Sequence, residues 1–181
     1  MKRKAFALVI AAVLLVAAGI GGTFAYFTAT QSITNTFTVG NVRIRLYEGT
    51  KETPISTLSF ISVPGKRYNK NPTIEVLEKS EDCYLFFEVI RTPGNETNLQ
   101  YDLNVAEWMP YNVPNDSSRL VYVRKVEEAD TPQEFPLLQN NSVSVPATAT
   151  ALRDETLGFH AYAVQRAHVN NANEAWDILF Q

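Results

Sequence analysis

The sequence predicts an all-β protein, an antiparallel β-sandwich that ends in one short helix. From Ser32 onward, apolar and polar residues alternate with a period of two, and Pro, Gly and Asn turn signals separate the short runs. Roughly eight to ten strands fit into this part of the chain, a number typical of a sandwich. Hydrophobic residues make up 45% of the chain and charged residues 19%, which is enough apolar material for a packed core.

One predicted strand is apolar on both faces. Leu85 and Phe87 share one face of Cys83–Arg91, whereas Phe86 and Ile90 share the other. This pattern predicts a central strand in a sheet that is covered on two sides. The remaining predicted strands are 34–39, 41–48, 58–63, 73–77, 101–108, 120–126, 135–138, 142–146 and 156–169.

The last predicted element is a helix near the carboxyl end. Asn173 is the expected N-cap of the segment Glu174–Phe180, in which Trp176 lies three and four residues before two further apolar side chains. No internal repeat or linker divides the strand-rich part of the chain. We therefore predict three parts: a leader over 1–25, an extended segment over 26–40, and one sandwich domain over 41–181.

The leader has the organisation of a cleavable signal peptide. Lys2, Arg3 and Lys4 precede an uninterrupted apolar run of 16 residues, Ala5–Ile20. An uncleaved membrane anchor is the alternative, although a bilayer core needs about 20 such residues.

The predicted cleavage site follows the apolar run. Gly21 and Gly22 break the hydrophobic helix, and the small residues Thr23 and Ala25 occupy positions −3 and −1 before Tyr26. No second apolar stretch of this length follows in the sequence. Cleavage after Ala25 would therefore leave a secreted protein with no stable membrane anchor.

The charge of the mature chain argues against a nucleic-acid partner. The formal charge of −3 becomes −6 once the three positive charges of Lys2, Arg3 and Lys4 are removed. The pair Arg43 and Arg45 is too small a basic cluster to bind a phosphate backbone.

The amino-terminal motifs resemble a known family. The segments GTFAYF (22–27) and NTFTVGNV (35–42), followed by a strand ending at Leu46, resemble proteins with SipW-type signal peptides, the group that contains TasA and camelysin. The Pro-Gly turn and strand pair of 63–89 and the segment AYAVQ (161–165) resemble later parts of the family more weakly.

The resemblance implies a fold and a role. It implies a jelly-roll-like sandwich, processing by a dedicated SipW-like type I signal peptidase, and a place on the cell surface or in the biofilm matrix, often as a fibre subunit. In fibre-forming members, the segment just after the cleavage site leaves its own domain and completes the sheet of a neighbour.

The segment 26–39 has the composition that strand donation requires. It carries no charge and has strong β preference, and its candidate donor side chains are Phe27, Ile33, Phe37 and Val39. A head-to-tail contact of this kind does not close, so it would produce a homopolymer. The alternative is that the segment pairs within its own domain.

The sequence carries no recognisable catalytic or metal-binding motif. The two histidines, His160 and His168, lie eight residues apart, which is about 26 Å along a strand, and the paired histidines of a zinc protease are absent. Cys83 is interpreted as a small buried core residue, and the acidic clusters 78–82 and 127–130 as solvated turns. We therefore predict no enzymatic activity, no metal site and no cofactor.

The sequence thus predicts a secreted, self-assembling structural subunit of extracellular fibres or surface filaments. A second hypothesis is a monomeric secreted binding module or adhesin. In that case the loops Asn95–Gln100 and Tyr111–Ser118 would recognise a glycan or a protein.

Overall fold

A computed structural model describes residues 36–51, 59–61, 63–92, 98–149 and 154–180. Within these ranges the chain forms eleven strands, one 3-10 turn (Gln139–Asn141) and one α-helix, α1 (Ala172–Leu179). The strands are β1 (Thr36–Val39), β2 (Ile44–Tyr47), β3 (Ser59–Ile61), β4 (Arg67–Asn69), β5 (Thr73–Val76), β6 (Cys83–Thr92), β7 (Met109–Tyr111), β8 (Leu120–Val126), β9 (Gln133–Pro136), β10 (Ser142–Ser144) and β11 (Asp154–Gln165). The prediction of an all-β chain with a short carboxyl-terminal helix is confirmed.

The largest sheet is built on the long pair β6 and β11. These strands run antiparallel over ten residue pairs, from Thr92 opposite Thr156 to Cys83 opposite Gln165. The sheet order is β1-β11-β6-β8-β7, and β3 also pairs with β11. A three-stranded sheet, β2-β5-β9, and a two-stranded sheet, β10-β4, complete the set.

Strand β6 is covered on both faces, as its sequence predicts. Leu85 and Phe87 belong to one buried cluster, which also contains Ile74 of β5, so this cluster joins the large sheet to the β2-β5-β9 sheet. Phe86 belongs to a second cluster, where Trp176 of α1 packs over the other face of the large sheet. The Phe86 and Trp176 rings meet edge to face at 5.2 Å between centroids.

Helix α1 begins two residues earlier than predicted. Its N-cap is Asn171, whose side chain accepts a hydrogen bond from the Glu174 backbone N at 3.0 Å. The Glu174 carboxylate in turn accepts from the Asn170 backbone N at 2.9 Å. The prediction of Asn173 as the cap is wrong because Asn173 already lies in the first turn, while Asn171 has the extended backbone that a cap requires.

Two further expectations about strands are corrected. Residues 101–108 form no strand, and the segment is held by single contacts such as the bridge between Leu103 and Leu138 and the bond from the Asn104 backbone N to the Leu137 O. The last strand ends at Gln165 rather than at 169, because a turn follows in which His168 has a φ of +66°. Among the described residues, no helix has both the length and the apolar character needed to cross a bilayer.

The packing of α1 predicts how the domain depends on one tryptophan. Trp176 is 4% exposed, and replacing a buried aromatic side chain with alanine leaves a cavity. We expect Trp176→Ala to lower the free energy of unfolding by roughly 3–5 kcal/mol, measured by urea denaturation. Met109→Ala is the control, because Met109 is 57% exposed and its truncation should change stability by less than about 0.5 kcal/mol. Equal losses in the two variants would contradict this account of the helix.

Candidate functional site: the β1–β11 edge

The candidate assembly segment enters the structure as strand β1, at one edge of the large sheet. β1 runs parallel to β11, with Thr36 opposite Ala161 and Val39 opposite Val164. Every other strand pairing among the described residues is antiparallel, so this pair departs from the predicted antiparallel sandwich. More than a hundred residues separate the two strands in the chain, so they are not joined by a hairpin. A tight hairpin turn would force its two strands to run antiparallel, and without one β1 and β11 can pair in parallel.

The described side chains of β1 differ in their exposure to solvent. Thr36 and Thr38 are exposed, and Val39 is half-buried against the cluster that contains Trp176. The backbone of Phe37 pairs with Tyr162, while its side chain lies outside the described residues. Among the described side chains of β1, Val39 alone packs into a buried cluster, and the strand also pairs with β11 through its main chain.

The other predicted residues of this region precede β1. The cleavage-site residues Thr23, Ala25 and Tyr26 and the donor candidates Phe27 and Ile33 all lie outside the described residues.

Gly40 marks the point where the chain leaves the edge. It has a φ of +87°, in the left-handed region that favours glycine. A Cβ atom at this position would lie 2.5 Å from Oε1 and 2.6 Å from Cβ of Gln165. The Gln165 Oε1 atom accepts a hydrogen bond from the Asn41 backbone N at 3.0 Å, so the side chain fills the space that a larger residue at 40 would need.

After Gly40 the chain is firmly held. Val42 is 2% exposed, and the Arg43 backbone N donates to the Ser80 Oγ at 3.1 Å. The Leu77 backbone N donates to the Arg43 O at 2.9 Å. Gly40 therefore separates the edge strand β1 from an anchored segment, and we name this junction the hinge.

The edge of β11 that receives β1 is longer than β1. On this edge β3 pairs with Asp154–Thr156 and β1 pairs with Ala161–Val164. No described strand pairs with the intervening residues 157–160 on that side. If β1 left, the edge would offer the main-chain groups of Ala161–Val164, with which β1 pairs, to an added strand.

A buried ionic network lies on the same face as α1. The Arg119 guanidinium donates to both carboxylate oxygens of Glu88, at 2.6 and 2.7 Å, and the Tyr162 hydroxyl donates to Glu88 Oε2 at 2.9 Å. Arg119 also lies over the rings of Trp176 and Phe180, at 5.0 and 5.2 Å from their centroids. The network therefore fastens α1 to strands β6 and β11.

The network determines the protonation of Glu88. Burial by itself raises the pKa of this carboxyl, but the nearby His160 imidazole and the hydrogen bonds from Arg119 and Tyr162 outweigh it and lower the pKa to about 2. Glu88 is thus an anion in the folded protein at ordinary pH. Burial is the main reason that the pKa of the Tyr162 hydroxyl is raised, and the Glu88 charge adds to the effect.

The histidines do not form a zinc site of the protease type. His160 Nδ1 lies 3.2 Å from the Tyr162 hydroxyl and 3.7 Å from Glu88 Oε2, beside the Arg119 guanidinium that already occupies this carboxylate. His168 is exposed in the turn after β11. The described residues contain no group of three or more His, Cys, Asp or Glu side chains that could hold a metal ion. The positions of His160 and His168 do not fit the donor set of a metallopeptidase.

Cys83 has the environment predicted from its strand. It is fully buried at the start of β6, and burial raises the pKa of its thiol to about 12. Such a thiol is poorly nucleophilic, which agrees with a packing role.

The described part of the chain is thus an all-β domain with a parallel strand, β1, at one edge of its largest sheet. Residues 1–56, the first part of this 181-residue chain, match the family model of camelysin metallo-endopeptidases. The match contains the GTFAYF and NTFTVGNV motifs and supports the TasA/camelysin-like assignment that these motifs suggest. No curated protein and no solved structure matches the chain at a significant level.

Sequence reasoning missed the hinge and the ionic network, although each leaves a signal. Gly40 stands between two β-forming segments, where a glycine is a sign of a bend or of close backbone approach. Glu88 is the one charged residue within the apolar run Cys83–Ile90, which indicates a buried carboxylate with a partner. The partners Arg119 and Gln165 come from distant parts of the chain, so the sequence alone does not identify them.

The hinge predicts a local effect of substitution at residue 40. We expect Gly40→Ala to weaken the docking of β1, because the added Cβ combines left-handed strain with a clash against Gln165. The amides of Thr36–Val39 should exchange with deuterium about tenfold faster or more, while those of β6 keep their protection. Gly65→Ala is the control, because Gly65 also has a positive φ, +76°, but its nearest neighbour beyond the adjoining residues is 3.9 Å away. Unchanged exchange in β1 of Gly40→Ala would contradict a constraint at this position.

The ionic network predicts a pH-dependent contribution to stability. Glu88 has a folded pKa of about 2 against an ordinary value of 4.5, so its contribution is present above about pH 4.5 and is lost as the pH falls towards 2. We expect Glu88→Gln to lower the free energy of unfolding by about 2 kcal/mol at pH 7. The difference from the unmodified protein should shrink in urea titrations at pH 3. Glu107→Gln is the control, because Glu107 is 73% exposed in its pair with Arg124 and should have little effect at either pH.

Proposed function

We propose that this chain is a secreted, non-enzymatic structural subunit that assembles into extracellular fibres or surface filaments by donating its amino-terminal strand. The observation that carries the proposal is the attachment of β1, an edge strand with exposed threonines that is joined to the domain through a left-handed glycine. The camelysin-like match of residues 1–56 supports the same role, because it spans the segment that would be donated.

The physical basis of the exchange is that one edge can accept either strand. β1 of the same chain and β1 of a neighbour would form the same main-chain bonds to β11, so self-pairing and donation differ little in free energy per bond. Cleavage after Ala25 by a SipW-like signal peptidase would free the uncharged residues that precede β1. A donated segment including them could lengthen the pairing with β11 beyond the four residues of β1.

The geometry of donation leads to a polymer rather than to a closed dimer. Each subunit would present one donor strand and one acceptor edge, and such a head-to-tail contact propagates. Within this proposal the domain is a jelly-roll-like sandwich whose missing edge strand is supplied by the next subunit. The assembled protein would lie outside the cell, in the matrix or on the surface.

The second candidate function is a monomeric secreted binding module. The pairing of β1 with β11 of its own chain favours this alternative, because a domain that completes its own sheet has no need of a neighbour.

A reversible lock on β1 tests strand donation. Thr38 and Ala163 are opposite each other in the parallel register, so Thr38→Cys together with Ala163→Cys should form a disulfide that keeps β1 in its own domain. Cys83 is buried and should not interfere. We expect the oxidised, mature double variant to form no filaments in negative-stain micrographs, and dithiothreitol to restore them.

Single-cysteine variants supply the matched control. When mature Thr38→Cys and Ala163→Cys chains are assembled together and oxidised, strand donation predicts a disulfide-linked dimer on a denaturing gel that neither variant forms alone. Filaments that persist in the oxidised double variant would refute donation of β1. A protein that remains monomeric under all conditions would favour the binding module.

A further inference from the structure

A polar cleft of about 820 Å³ lies away from the β1 edge. One side is formed by the irregular segment 99–105, and the other by residues of β4, β6, β8, β10 and the 3-10 turn. Leu99 and Gln100 of the predicted binding loop Asn95–Gln100 line this cleft, whereas the loop Tyr111–Ser118 contributes nothing to it. We propose that the cleft is a binding site for a neutral, hydroxyl-rich polysaccharide chain.

Two tyrosine rings contribute to the apolar part of the site. Tyr122 lies flat on Phe87, with 5.0 Å between the ring centroids and an interplanar angle of 15°. Tyr122 is half-buried and lines the cleft. Because its ring is stacked on Phe87, the ring has a fixed position and can act as a platform for a ligand. Tyr101 lines the same cleft. Flat apolar surfaces with polar groups close by suit a sugar ring, which has apolar C–H faces and a rim of hydroxyls.

The polar groups around these rings supply donors and acceptors for hydroxyls. Arg67 and Arg91 carry donors, the Asp102 carboxylate is an acceptor, and Gln139 and Asn140 have amide groups that do both. Sugar hydroxyls also act as donors and acceptors, so a mixed lining of this kind matches them better than a lining of one type.

The walls of the cleft are held in place before any ligand binds. Gln100 exchanges two backbone hydrogen bonds with Ser144, at 2.8 and 2.9 Å. The Gln139 backbone N donates to the Asp102 O at 2.8 Å, and its side chain donates to the Leu103 O at 3.2 Å. The Asn98 backbone N donates to the buried Glu155 carboxylate at 2.7 Å. Binding would therefore require little ordering of the protein.

Charge and backbone pairing select the class of ligand. The lining combines two arginines with one aspartate, and the predicted mature chain carries a charge of −6, which repels an acidic polymer as a whole. A peptide that binds by strand addition would need a free strand edge. At Ser144, β10 already pairs with Arg67 of β4 on one side and with Gln100 on the other.

The cleft goes beyond the proposed assembly function and does not depend on it. Tyr101 and Tyr122 pack on the cluster that contains Phe87, whereas Val39 of β1 packs on the cluster beneath α1. A fibre built through β1 would leave the cleft accessible, so the same protein could bind a matrix polysaccharide in its assembled form.

Affinity electrophoresis of the mature protein tests the site. Native gels would contain laminarin, hydroxyethylcellulose or galactomannan as neutral polymers, and polygalacturonate as the acidic one. The oxidised Thr38→Cys/Ala163→Cys variant keeps β1 in place, so binding is measured separately from polymerisation. We expect at least one neutral polymer to retard the protein, while polygalacturonate does not.

Variants of the lining connect the binding to the cleft. Tyr122→Ala should weaken binding about five- to tenfold, while Tyr122→Phe keeps the ring and most of the affinity. Arg67→Ala should also weaken binding. Because Arg67 is exposed, this substitution should leave the fold intact, so a loss of binding would not be due to unfolding. Arg43→Ala, an exposed arginine outside the cleft, should have no effect.

Four outcomes would overturn the proposal. The first is that no neutral polymer retards the protein, and the second is that polygalacturonate alone retards it. The third is that the cleft variants bind neutral polymers as well as the unmodified protein does. The fourth is that the cleft binds a casein peptide mixture in place of polysaccharide. Failure of filament formation with intact polysaccharide binding would contradict only the assembly function.

Discussion

The pairing of β6 with β11 is the constraint on which the rest of the fold depends. The two strands are paired over ten residues, and apolar side chains of β6 are buried on both faces of the sheet they form. One face therefore needs the β2-β5-β9 sheet as a cover, and the other needs α1. Glu88 in the middle of β6 is a buried carboxylate, and it is satisfied because Arg119 and Tyr162 meet it beneath the same helix.

This central position also determines where the sheet remains open. β6 has a long partner on each side, β11 and β8, whereas the far edge of β11 is paired by the two short strands β1 and β3 within the described residues. A short edge strand has few hydrogen bonds to lose, so its docking is the weakest step in the sheet. Gly40 then separates β1 from the buried residue Val42, so the strand proposed for donation ends where the anchored part of the chain begins.

The sequence predicted the elements whose signals are local. The two-sided apolar pattern of 83–91 identified β6, and the run 120–126 identified β8 with the same bounds. Structural features that depend on residues far away in the chain could not be predicted from such local patterns. The parallel register of β1 depends on β11, the coil at 101–108 depends on single bonds to 137–138, and the helix cap required a choice among three nearby asparagines. Gly40 and Gln165 are meaningful as a site only when the fold places them in contact.

The two faces of the large sheet give the domain two separate surfaces. α1 and the ionic network of Glu88 occupy the face on which Val39 packs. The opposite cluster supports Tyr122 through Phe87, so the platform of the polar cleft rests on the same central strand. Because β6 supports both surfaces through alternate side chains, a change at the β1 edge need not disturb the cleft. A single sandwich can in this way carry both the edge that we propose for assembly and the cleft that we propose for binding.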